Sequence, residues 1–115
     1  MHELSIGSAV VATAVRHAAG RRVTAVHLRV GALRQVVPES LDFYFGIVAR
    51  ETCCEGARLD QELLEVRLRC PGCETEWEVD FPDFRCPVCG GAEVAVVAGE
   101  ELEVESIDVE EPCIA

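Results

Sequence analysis

The residues best equipped for chemistry are two cysteine pairs, Cys70-Pro71-Gly72-Cys73 and Cys86-Pro87-Val88-Cys89, separated by twelve residues. A Cys-x-x-Cys turn aims two thiols at one point, and two such turns supply four soft ligands. Four thiolates in a tetrahedron suit Zn²⁺, which gains no d-electron stabilisation from any other geometry. The proline after the first cysteine of each pair, Gly72 and the Gly90-Gly91 run fit the tight turns of metal knuckles. Four cysteines leave no coordination position open for a substrate, so the spacing points to a structural staple rather than a catalyst.

A second donor set lies at Met1-His2-Glu3. With a free terminus, the Met1 amine, the His2 backbone nitrogen and the His2 imidazole Nδ1 close adjacent chelate rings around one cation. Glu3 offers a further backbone nitrogen or its carboxylate. Nitrogen-rich, square-planar sets select Ni²⁺ or Cu²⁺ over Zn²⁺. An ordinary exposed terminus could carry the same residues, so spacing alone leaves both readings open.

The remaining polar candidates read more plainly. His17 falls near the end of a helical pattern, where a positive charge is favoured by the dipole, and reads as a surface or capping residue. His27 lies on the polar side of a strand pattern and reads as exposed or sheet-packing. Cys53 and Cys54 are adjacent, so they diverge and read as structural or incidental thiols, as does Cys113. Trp77 reads as a packing residue of the cysteine module. There is no serine–histidine–acid set and no phosphate loop, so no enzyme is expected.

Length and charge bound the rest. A chain of 115 residues holds one compact domain, or a small domain with a metal-stapled module too small to bury a core of its own. Seven cysteines, an odd count, without a basic secretory leader suggest metal binding in a reducing cytoplasm rather than a disulfide framework. No apolar run approaches a membrane span. The formal net charge of −11 lacks the basic footprint of a nucleic-acid binder and favours cations, basic partners or simple solubility.

Periodicity then places these residues. Leu4, Val11, Val15 and Ala18 repeat at helical spacing over 4–19, with Gly20 as a C-cap. Val26, Leu28 and Val30 alternate with His27 and Arg29 in a strand over 23–33. Pro38 opens a second helix to about residue 52, with Leu41, Tyr44, Phe45 and Val48 as its buried stripe. A strand over 57–69 runs into Cys70. Short strands follow around Trp77, Val79 and Phe81 and around Val94 and Val96. Leu102, Val104 and Ile107 mark a last strand whose alternation breaks near Ser106. Residues 100–111 carry seven acids and no base, yet the interleaved apolar residues argue for a strand with a solvated face. The expected fold is α+β: a small mixed sheet with two helices and an inserted zinc-ribbon-like four-cysteine domain. The boundaries are 1–68 plus 99–115 for the α/β domain and 69–98 for the insert.

Taken in order, Met1-His2-Glu3-Leu4-Ser5, Val26-His27-Leu28-Arg29-Val30-Gly31, Pro38-Glu39-Ser40-Leu41, the two cysteine pairs with Gly90, and Gly99-Glu100-Glu101-Leu102 resemble the HypA/HybF family of nickel metallochaperones for [NiFe]-hydrogenase maturation. The resemblance spans essentially the whole chain. It implies a nickel-binding α/β domain and delivery of Ni²⁺ to the hydrogenase large subunit in concert with a maturation GTPase; some relatives also serve urease. It further implies nickel ligation by His2, with Glu3 beside it, and zinc on Cys70, Cys73, Cys86 and Cys89; the Met1 terminal amine joins the nickel set on the chelate argument above. A monomer or weak homodimer without nucleic acid or membrane is expected. Two other readings stay in view. One is a zinc-ribbon interaction module without nickel function. The other is an iron-bearing electron carrier, since Cys86-Pro87-Val88-Cys89-Gly90 also resembles a rubredoxin knuckle; against it, only that pair is followed directly by glycine.

Overall fold

The computed structural model of the chain describes residues 3–79 and 84–112. Its elements are α1 (Glu3–Ala18), β1 (Arg21–Gly31), a 3-10 turn (Ala32–Arg34), α2 (Pro38–Val48), β2 (Arg58–Leu64), β3 (Arg67–Cys70), β4 (Thr75–Glu78), β5 (Ala95–Ala98) and β6 (Leu102–Pro112). The strands form two three-stranded sheets, β2-β1-β6 and β4-β3-β5. Two compact units result: Met1–Arg29, Val36–Glu62 and Glu103–Ala115 in the first, Val30–Gln35 and Leu63–Leu102 in the second. The fold is α+β, with two helices, a small mixed sheet and a small antiparallel one.

In the first unit α1 buries Ile6, Gly7, Val10, Val11, Ala14 and Ala18, two adjacent rows at helical spacing. The stripe expected from hydropathy has the right period but is displaced. Leu4 is 49% exposed and Val15 only half-buried. The cause is Gly7: a Cβ there would sit 3.4 Å from the Phe45 backbone nitrogen, so α2 approaches α1 at a residue that hydropathy does not score. Ala19 and Gly20 both take positive φ and end the helix where glycine stands. Pro38 opens α2, whose Leu41 and Phe45 are fully buried and whose Tyr44 and Val48 are half-buried. This helix stops at Val48, short of residue 52. Thr52 donates from Oγ1 to the Ala49 carbonyl at 2.6 Å, and Glu51 turns to a φ of 63°, which diverts the chain.

β1 buries Val23, Ala25, Val26, Leu28 and Val30, and turns His27 and Arg29 outward as expected. Its phase slips between Ala25 and Val26. β6 slips too, exposing Glu103 and Glu105, then Ser106, Asp108 and Glu110; this is the break expected near Ser106. Thr24 donates to the Asp108 carbonyl and Arg29 to Glu103, so the partners descend β6 as β1 ascends, an antiparallel pairing. His27 with Asp60 and Arg29 with Glu62 ascend together, which makes β2 parallel to β1. The sheet is therefore mixed.

The second unit corrects one expectation. The single strand over 57–69 is two strands, β2 and β3, which belong to different sheets. Leu64, Val66 and Leu68 keep their alternation across the break, so periodicity cannot register the change of partner. Val66, Leu68 and Val79 form a small buried core, packed by Ala32, Leu33, Trp77, Phe84 and Val94. Trp77 thus packs the cysteine module, as expected. β4 folds back on β3 with Leu68 opposite Trp77 and Cys70 opposite Thr75. Phe81 lies outside the described residues.

Candidate metal centres

Cys70 ends β3, and Cys73 follows in the turn to β4; Cys86 and Cys89 lie in the loop before β5. The four Sγ atoms all lie within 4.8 Å of one another, with Cys70 and Cys89 at 3.8 Å. A tetrahedral ion with Zn–S bonds of about 2.3 Å requires sulfur–sulfur edges of about 3.8 Å. The cluster therefore fits zinc. The two turns are built alike: Glu74 donates its N–H to the Cys70 carbonyl at 2.7 Å, and Gly90 to the Cys86 carbonyl at 2.8 Å. Further backbone N–H groups point at sulfur, Val88 to Cys86 and Gly91 to Cys89, each at 3.4 Å.

These donors set the thiol electrostatics. Backbone N–H groups of Cys89 and Val88 hold the Cys86 thiol down to about 7. Cys73 is pushed up to about 12, chiefly by its hydrogen bond to Cys89, then by desolvation and the remaining thiols. Four sulfurs this close cannot all ionise side by side without a cation among them. Zinc held by Cys70, Cys73, Cys86 and Cys89 would supply that charge and tie the knuckles together; the chain's own contribution is the placing of sulfur and N–H donors.

At the other candidate centre, Glu3 opens α1, half-buried, where the helix dipole favours its carboxylate. Met1 and His2 lie outside the described residues. Among the described residues no other group of three or more His, Cys, Asp or Glu side chains converges closely enough to hold an ion. His17 is exposed in the last turn of α1. His27 sits between two carboxylates, Nδ1 3.3 Å from Asp60 and Nε2 3.1 Å from Asp108. That array escaped the sequence reading because it depends on which strands flank β1. The sequence carries no signal for it beyond the polar positions that both aspartates hold in strand-like alternation.

The other cysteines separate. Cys54 is fully buried, and burial pushes its thiol up, so it is a structural core thiol. Cys53 departs from the expectation of free thiols: it is disulfide-bonded. Adjacent residues on an irregular turn point apart, leaving Cys53 at the half-buried surface while Cys54 faces the core. Cys113 lies outside the described residues.

A two-helix α+β unit joined to a four-thiol knuckle unit defines a small metal-handling protein with a cysteine cluster that fits zinc. Residues 1–109 match the family model for HypA, described as hydrogenase/urease nickel incorporation, metallochaperone, and the chain belongs to that family. It is 44% identical over 110 residues to the hydrogenase maturation factor HypA of Geotalea uraniireducens, covering 96% of this chain and 100% of that one. The HypA of Geobacter sp. strain M21 is 46% identical with the same coverage. In fold, the chain is similar to the solution structure of the Ni metallochaperone HypA from Helicobacter pylori, with a TM-score of 0.69 at 24% identity over 95% of this chain and 97% of that one. The family is one of metallochaperones, not catalysts. No helix among the described residues is long and apolar enough to cross a membrane.

Proposed function

We propose that this protein binds Ni²⁺ at Met1-His2-Glu3 and delivers it to the large subunit of a [NiFe]-hydrogenase, in concert with a maturation GTPase in the cytoplasm. The observation that carries this reading is the family match, which begins at residue 1 and so takes in Met1-His2-Glu3. The donor chemistry divides the metals. Sulfur at Cys70, Cys73, Cys86 and Cys89 holds zinc in the segment 69–98. The nitrogens of Met1 and His2, with Glu3, hold nickel on the domain of 1–68 plus 99–115. A terminal site at a helix start binds through few side chains, so an acceptor can strip it ligand by ligand. His2 ligates only when neutral, which makes nickel uptake weaken as pH falls through the usual histidine range near ~6.5.

The test is a calorimetric Ni²⁺ titration of zinc-loaded protein with a native, tag-free terminus. Parallel samples carry one extra N-terminal residue or His2→Ala. Binding of one equivalent in the native form, lost in both others with zinc content unchanged, supports the reading. Equal binding in all three would move nickel elsewhere, and no binding in any would leave a zinc-stapled interaction module.

A further inference from the structure

Strand β5 is an edge of the second sheet: β3 pairs with one side, and among the described residues no strand pairs with the other. Its sequence, Ala95-Val96-Val97-Ala98, is wholly apolar, and Val96 and Val97 are 42% and 48% exposed. In a regular strand, consecutive residues face opposite sides of the sheet. Here Leu68 pairs with Val96 but Arg67 pairs with Ala98, so Val97 is an extra residue and the strand is bulged. Edges of soluble sheets are blunted by charges, by proline, by short length or by a bulge; β5 carries no charge and no proline, and only its four-residue length and the bulge at Val97 guard it. What it offers is a main-chain edge that no described strand covers, beside two accessible valines, the setting for adding a strand.

We propose that the outer edge of β5 docks an extended segment of a protein partner, apolar in its middle and basic at its ends. The charges select that occupant. Glu93 precedes β5 and Glu100 follows it, both exposed. Arg67 and Arg69 on β3 already face Glu76, Glu78 and Glu74 at 3.7, 3.9 and 4.0 Å, and Arg34 donates its Nε N–H to the Glu100 carbonyl rather than to a carboxylate, at 2.7 Å. A second copy of this chain is disfavoured in either direction, since antiparallel pairing of two β5 strands brings Glu93 toward Glu100 and parallel pairing brings like residues together. An acidic segment meets the same repulsion. Lysine or arginine at the ends of the incoming strand relieves it.

The probe is a blocked synthetic peptide, Lys-Val-Thr-Val-Thr-Val-Lys, compared with its counterpart bearing glutamate at both ends. Each is titrated into ¹⁵N-labelled, zinc-loaded full chain and followed through backbone amide shifts. Saturable shifts confined to residues 93–100 are expected with the basic peptide, and binding roughly tenfold or more weaker with the acidic one. Val97→Lys, the natural way of blunting an edge, should weaken the basic peptide roughly tenfold. Val97→Thr should bind as the native chain does, and both variants should retain zinc. Unaltered binding by Val97→Lys, shifts elsewhere, or no binding would overturn the proposal. Shifts of the β5 amides with protein concentration alone would also overturn it, by giving the edge to a second copy.

Discussion

Glu74 and Gly90 occupy the same place in the two metal knuckles. Each directly follows the second cysteine of its pair, takes a positive φ (56° and 73°) and donates its N–H to the carbonyl of the first cysteine. Glycine enters this left-handed region freely, whereas a side chain costs about 1–2 kcal/mol there. The first knuckle therefore carries a strain that the second avoids. Gly90→Ala should destabilise the zinc-loaded unit by about 1 kcal/mol. Glu74→Gly should stabilise it by about 0.5 kcal/mol, the relief being offset in part by glycine's freedom in the unfolded chain. The ion pair lost with Glu74, 4.0 Å from Arg69 and exposed, contributes little. Thermal melts of the zinc-loaded variants check the opposite signs.

A second pair of residues makes a sharper demand. A Cβ on Gly31 would lie 2.1 Å from the carbonyl carbon and oxygen of Gly99, and one on Gly99 would lie 2.8 Å from the Val66 Cα. These are backbone atoms and cannot swing aside. The approach is held by two hydrogen bonds, Gly31 N–H to the Glu101 carbonyl at 2.7 Å and Leu33 N–H to the Gly99 carbonyl at 2.8 Å. Gly31→Ala and Gly99→Ala should each cost about 3 kcal/mol or more, with both bonds weakened. Gly46→Ala is the control: nothing lies within 4 Å of its Cβ position on α2, and it should be neutral or stabilising by up to ~1 kcal/mol. Denaturant unfolding of the three variants separates the cases.

Gly31 and Gly99 also show where the sequence was legible and where it was not. The cysteine spacing revealed the knuckles because chelation is local, and a Cys-x-x-Cys turn sets its own geometry. The stripe on α2 was legible because Leu41 and Phe45 are large and apolar. The stripe on α1 was misplaced because its closest contact is Gly7, a residue without a side chain. The change from β2 to β3 was hidden because Leu64, Val66 and Leu68 alternate across it, and alternation says nothing of which strand lies alongside. The carboxylates around His27 were hidden for the same reason. The missing glycine after Cys73, which counts against a rubredoxin-like iron site, does not change the turn: Glu74 adopts the same left-handed conformation as Gly90.

The outward face of the first sheet gives a pH prediction. Arg58 donates from Nε and Nη2 to the two Asp60 oxygens at 2.8 and 2.9 Å, and this hydrogen bonding, aided by the Arg58 charge and by His27, holds the Asp60 carboxyl below its usual value. A group whose pKa is depressed on folding adds stability above its unfolded pKa and loses it as pH falls through the folded pKa. The pair should therefore act above pH ~4 and fade on acidification below it. An NMR titration should place Asp60 below the ordinary aspartate range, and Arg58→Gln should return it toward that range. An unchanged midpoint in the variant would show that the pair does not bind the proton equilibrium to the fold.

Removing zinc should divide the molecule. Among the described residues the second unit's apolar cluster centres on Val66, Leu68 and Val79, a small core for three short strands without the metal. The first unit has its own core of α1, α2 and β1 side chains, including Ile6, Leu28, Leu41 and Phe45. Chelation should therefore abolish amide protection in β3, β4 and β5 while leaving the helical circular dichroism largely intact. Replacing zinc should release protons, because Cys73 sits at about 12 in the metal-free cluster and must be deprotonated to ligate. Zinc affinity should accordingly fall as pH is lowered, with the metal-bound form carrying fewer protons than the free one. A pH-indicator assay during zinc addition, alongside hydrogen exchange with and without chelator, reads both effects. Retained protection in β3–β5 after chelation would show that packing alone holds the unit, and that the four cysteines are not its staple.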